Sequence, residues 1–115
     1  MTENIVFIKK GDDKSRLQRP GKLYRLMVKS PRMEGIITEI EPHTESREFQ
    51  HEGEELHLVL QGELEYHVDG KTYKLSEGDI LWHESMLKHR AKNQTAEKVV
   101  YITIGTPPTF QWSMT

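Results

Sequence analysis

The 115 residues contain no cysteine. Disulfides and thiolate metal sites are therefore excluded, and imidazole and carboxylate remain as the main metal-ligating groups. A thiol-free chain is compatible with a reducing compartment. Long hydrophobic runs are also missing. The apolar stretch from Ile5 to Ile8 is too short for a secretory signal, and nothing approaches a membrane span. The expectation is a cytoplasmic protein with no membrane partner. The formal net charge of −2 gives no basic stripe, so nucleic acid is not expected as a direct partner. No amphipathic pattern runs for ten residues, and tandem repeats, low-complexity tracts and linkers are absent as well. The chain is polar, with 35% hydrophobic and 30% charged residues, yet this is not the composition of a disordered chain. Its length suits one domain spanning residues 1–115 around one core.

What is present is strand-like. Tyr24, Leu26 and Val28 alternate with Arg25, Met27 and Lys29. Ile36, Ile37 and Ile40 lead to Pro42. Leu56, Leu58 and Leu60 alternate with His57 and Val59, followed by Leu64, Tyr66, Val68, Tyr73 and Leu75, then Ile80-Leu81-Trp82 and Val99 to Ile104. Period-two spacing with β-branched and aromatic residues predicts strands. Gln61-Gly62, Asp69-Gly70, Glu77-Gly78-Asp79 and Asn93-Gln94 punctuate them. Asp69-Gly70 suits a type I′ hairpin, which needs positive φ at both central residues. The polar stretch from Gly11 to Gly21 reads as a loop. Arg16, Arg19, Lys22 and Arg25, with Pro20, read as a solvated basic segment that could meet an anionic ligand near a cavity mouth. Tyr24, Tyr66, Tyr101, Phe49 and Trp82 are expected in the core. Phe110 and Trp112 suggest an ordered tail.

Six histidines occur: His43, His51, His57, His67, His83 and His89. His51 stands four residues before Glu55. Glu55 and His57 are two apart, so on a strand they share a face. His89 lies some thirty residues further on. Two imidazoles and one carboxylate suit a divalent first-row metal (Fe, Mn, Ni, Zn or Co) and leave open positions for a ligand. His57 reads as a cavity-wall histidine bonded to Glu55 or to a ligand, with a fourth metal ligand as the alternative. His43, His67 and His83 are expected at the surface or at strand edges. Glu54 and Glu55 point oppositely on a strand and make a poor acid–base pair.

The segments HEGEELHLVLQG and GDILWHESMLKHRAKN resemble the paired motifs of the cupin family, G-x5-H-x-H-x(3,4)-E-x6-G and G-x5-P-x-G-x2-H-x3-N. His51, Glu55 and Gly62 match the first motif, and Gly78, His89 and Asn93 the second. His43 stands in place of a glycine, Phe49 in place of a metal histidine, and Glu84 and Met86 in place of proline and glycine. The similarity runs from about residue 41 to 108. HEGEELHLVLQGELEYHVDGKTYKLSEGD and TPPTF are similar to the C-terminal sensor domain of helix-turn-helix regulators.

The resemblance implies an all-β, double-stranded β-helix (jelly-roll) barrel. His51, Glu55 and His89 would ligate the metal, and Phe49 and His57 would line the cavity. It also implies a homodimer, with Ile5–Ile8 and Leu23–Val28 as contacts, and a small-molecule ligand. Three functions stay open. One is a cupin binding a metal and/or a small molecule without catalysis. The others are a metal-dependent oxygenase, isomerase or lyase on a small polar metabolite, and a metal-free binding or interaction module.

Overall fold

A computed structural model describes residues 4–109, and its ordered elements are all strands. They are β1 (Ser15–Arg19), β2 (Lys22–Lys29), β3 (Glu34–Ile40), β4 (Thr44–Glu45), β5 (Glu54–Gln61), β6 (Leu64–Val68), β7 (Lys71–Leu75), β8 (Ile80–Glu84), β9 (His89–Asn93) and β10 (Val99–Thr106). One six-stranded sheet has the order β1-β2-β3-β10-β5-β8, and a four-stranded sheet has the order β4-β9-β6-β7. The ladders between these strands are antiparallel. No helix among the described residues is long and apolar enough to cross a membrane.

The sheets share a core. Ile40, Val59, Val99 and Tyr101 from the larger sheet meet Leu64, Tyr66, Val68, Leu75 and Ala91 from the smaller. Each buried aliphatic side chain contributes roughly 1.5–3 kcal/mol. Tyr24, Leu26 and Ile36 form a second cluster, with Leu17 packed against it. Asn93 is fully buried and ties the strand end together: its amide donates to the Ile40 and Glu97 carbonyls, while its oxygen accepts from the Thr95 amide.

The Asp69-Gly70 hairpin forms as expected, with φ of 52° and 78°, and Val68 pairs with Lys71 across it. Other expectations need correction. The stretch from Gly11 to Gly21 is not wholly loop, because Ser15–Arg19 is β1. It is joined to β2 through Pro20-Gly21, with Gly21 at φ 72°. A Pro-Gly pair suits a tight turn, and the turn lets even a polar segment form a ladder with its neighbour. Trp82 is not in the core. It is 54% exposed, on the outer face of β8, and its indole donates to Glu54 Oε1 at 2.7 Å. Residues 5–8 form no strand, and Phe110 and Trp112 lie outside the described residues.

β5 turns its leucines outward. Glu55, His57 and Val59 are buried, whereas Leu56 and Leu58 are half-buried and Leu60 is exposed. The outer face of the larger sheet consequently carries an aliphatic row across four strands, Ile37–Ile102–Leu58–Ile80. The adjacent row on that face runs Ile104–Leu56–Trp82.

Candidate metal centre

β5 places Glu55 and His57 on its inward face, at 7% and 1% exposure. β8 lies beside it in a register that sets His83 opposite Glu55, and β10 sets Thr103 opposite His57. His51 precedes β5 in a segment pinned by two backbone bonds, His51 N–H to the Ser85 carbonyl and Ser85 N–H to the Gly53 carbonyl. Gly53 lets the same segment lie against the end of β10. It has φ 99°, and a Cβ there would lie 2.2 Å from the Thr106 carbonyl oxygen. His89 opens β9, and its backbone exchanges two hydrogen bonds with Phe49.

Side chains from four places in the sequence therefore converge on Glu55. Its Oε2 lies 3.1 Å from His51 Nε2 and 3.4 Å from His89 Nε2, and accepts a 2.7 Å hydrogen bond from the Ser85 hydroxyl. Its Oε1 lies 3.3 Å from His57 Nε2 and 3.7 Å from His83 Nε2. Tyr66 packs on the His57 ring at 4.2 Å between centroids and stacks on His89 at 6.3 Å. Phe49 lies 6.1 Å from His89.

The ring tautomers follow from the outer bonds. His51 Nδ1 faces the Glu52 carbonyl at 3.1 Å, His83 Nδ1 the Glu84 carbonyl at 2.9 Å, and His89 Nδ1 the Leu87 carbonyl at 2.6 Å. A carbonyl only accepts, so each Nδ1 carries a proton; Nε2 then faces the cluster, as a lone pair in the neutral ring and as a second donor, towards Glu55, when the ring is charged. Such backbone bonds are the usual means of orienting a metal-bound imidazole.

The electrostatics agree. Burial opposes ionisation of Glu55, but hydrogen bonds from His51, His57 and His89 outweigh it and hold the carboxyl far below the usual range. The bond to Glu55 raises the His51 pKa against partial desolvation. Burial lowers His57, and it lowers His83 to about 4. The donor set fits a divalent ion: an ionised carboxylate beside buried or half-buried imidazoles whose Nε2 atoms point inward.

The three residues expected to come together do so. His51, Glu55 and His89 form one group whose ligand atoms lie within 4.8 Å of one another. Phe49 and His57 line the adjoining cavity of about 80 Å³. The expectation for His83 is overturned. It is buried, and with Glu55 and His57 it forms a second such group. In the structure Trp82 and Glu84 are exposed on either side of it along β8, so His83 turns inward. His43 and His67 stay outside both groups, His43 exposed and His67 bonded to Glu65.

A family model described as "Cupin domain" matches residues 36–105. An uncharacterized protein of Archaeoglobus fulgidus is 36% identical over 64 residues, a stretch covering 56% of this chain and 60% of that protein. Among solved structures, KdgF from a Halomonas species is similar at a TM-score of 0.75 and 20% identity, over 90% of this chain and 94% of its own. An RmlC-like cupin from Shewanella frigidimarina gives 0.76 at 18% identity, over 92% of each chain. The cupin domain of an XRE family transcriptional regulator from Enterobacter cloacae gives 0.70 at 19% identity, over 74% of this chain and 95% of its own.

Proposed function

The chain belongs to the cupin domain family, and on that premise we propose that it is a small binding protein holding a divalent first-row metal on His51, Glu55 and His89, with a small ligand in the cavity beside it. The observation carrying this reading is the convergence of inward-facing Nε2 atoms on one ionised, buried carboxylate. A metal ion there would supply Lewis acidity and open coordination positions. The residues of the chain orient it: Ser85 holds Glu55 Oε2, and backbone carbonyls fix the rings of His51 and His89.

The cavity of about 80 Å³ is far below the roughly 300–1,000 Å³ of pockets for drug-sized molecules. A ligand of a few heavy atoms fits that scale. Tyr24, Phe49, Tyr66 and Tyr101 give it aromatic walls, and Glu34 lies among them. Binding ranks above catalysis because the imidazoles that line the cavity, those of His51, His57 and His89, all face Glu55 as candidate ligands. Metal-dependent turnover of a small polar metabolite, lost in Glu55→Ala, would replace this reading with the enzymatic one.

We further propose a homodimer in which a second copy covers the outer aliphatic rows of the larger sheet. The Ile37–Ile102–Leu58–Ile80 row is apolar along its length; Glu39 stands beside it on one side, and Glu54 and Glu84 lie beyond the Leu56–Trp82 row on the other. An apolar centre with a charged rim is how protein interfaces are built. Edge-to-edge pairing through Leu23–Val28 is excluded, because β2 lies between β1 and β3 with both of its edges paired.

Elemental analysis of the purified protein tests the metal reading, with His51→Ala and His89→Ala beside it. The expected result is bound metal in the wild type and loss of that metal in both variants. Metal content unchanged in both variants would overturn it.

A further inference from the structure

The two oxygens of Glu55 serve different partners. Oε2 faces His51, His89 and the Ser85 hydroxyl, while Oε1 faces His57 and His83. The inner three donors form a compact triangle: His57 Nε2 to His83 Nε2 is 3.0 Å, and the two distances to Oε1 are 3.3 and 3.7 Å. A point about 2 Å from all three exists, which is the bond length of first-row metals to imidazole nitrogen and carboxylate oxygen. His83 Nδ1 donates to the Glu84 carbonyl, so its Nε2 is bare in the neutral ring. His57 Nδ1 lies 2.8 Å from the Thr103 hydroxyl, which can accept its proton and leave the second Nε2 bare as well. Two ring nitrogens 3.0 Å apart beside an anionic oxygen call for a proton or a metal ion among them. One proton on His57 Nε2 satisfies one of these contacts, whereas a metal ion satisfies all three.

We propose that Glu55 is a bridging carboxylate and that Glu55 Oε1, His57 Nε2 and His83 Nε2 form a second, inner divalent-metal position. The pairing of two ions rests on the reading of His51, Glu55 and His89 as the outer site, while the inner position stands on its own donors. An imidazole-rich position of this kind suits Zn, Co, Ni or Fe. Two divalent ions on one carboxylate leave an excess of positive charge. The geometry therefore also fits an anionic ligand, a carboxylate or hydroxide, in the adjoining cavity. His57, buried to 1%, thereby gains a role that a wall residue would lack.

The test is titration of the metal-stripped full chain with Co(II), followed by calorimetry and visible absorption. It covers the wild type, His51→Ala, His57→Gln and His83→Gln. Far-ultraviolet circular dichroism confirms that each variant is folded, and glutamine keeps most of the imidazole volume. The expected result is two equivalents per wild-type chain and one in each variant. An anomalous map of Co(II)-soaked crystals is expected to show two peaks within about 4 Å of each other, one on each side of Glu55. A wild type saturating at one equivalent, lost in His51→Ala and kept in His83→Gln, would overturn the inner position and leave the outer one standing. One equivalent lost in His83→Gln and kept in His51→Ala would sustain the inner position and overturn the outer. No bound metal in the wild type would overturn both.

Discussion

His43 adopts φ 56°, in the left-handed region, at a place where the family motif carries glycine. A Cβ there is unfavourable, and the exposed imidazole has no place in either metal group. His43→Gly is accordingly expected to raise stability by about 1 kcal/mol in urea unfolding, and a loss of stability would refute that. A second expectation concerns acid. Burial lowers His57, and lowers His83 from 6.5 to about 4. Between those two pH values the unfolded chain takes up protons that the folded chain refuses, so stability is lost as pH falls through that window. His51 works in the opposite sense. Its raised pKa adds stability that is complete below 6.5 and lost as pH climbs through the folded value. Thermal melts of metal-stripped protein should therefore fall steadily from pH 6.5 towards 4, and His83→Gln should flatten that slope. Equal slopes in the two proteins would contradict the assignment. The resemblance to the paired motifs pointed to His51, Glu55 and His89, because motif positions can be counted along a chain. It hid His83, because nothing local tells which face of a short strand is inward when Leu81 and Trp82 on its two faces are both apolar.

β5 shows why elements were easier to read than faces. The Leu56, Leu58 and Leu60 alternation correctly predicts a strand, but the buried set is Glu55, His57 and Val59. Apolar residues on both faces leave parity undetermined, and the cavity takes the polar face because its groups bond one another there. β1 was read as loop because it is nearly all polar, and its ladder to β2 is set by the Pro20-Gly21 turn. The hairpin at Asp69-Gly70 was legible because turn chemistry is local. Two glycines separate local from tertiary demands. Gly70 has positive φ but open space around it, whereas Gly53 has positive φ and the Thr106 backbone against it. Gly70→Ala should cost about 1 kcal/mol. Gly53→Ala should cost more than the roughly 1–3 kcal/mol of backbone strain, since the segment holding His51 must also move. Urea midpoints measured side by side decide this, and equal losses would refute the distinction.

At the scale of the whole molecule, the family and the two-sheet architecture were legible because paired motifs and turn spacing extend over most of the chain. The proposed mode of association was not, because it depends on which β5 face is outward. If the outer rows of the larger sheet meet a second copy, Ile80→Glu should convert a sedimenting dimer to a monomer while leaving the melting temperature of the isolated chain nearly unchanged. A monomeric wild type at high concentration would dismiss the interface. One last feature turns the cysteine-free composition into an experimental asset. Thr109 borders the cavity, and its hydroxyl lies 3.0 Å from His51 Nδ1. A single cysteine engineered at that position would be the sole thiol in the protein, so an environment-sensitive dye coupled there would report ligand or metal arrival through its emission, with no background from other labelling sites.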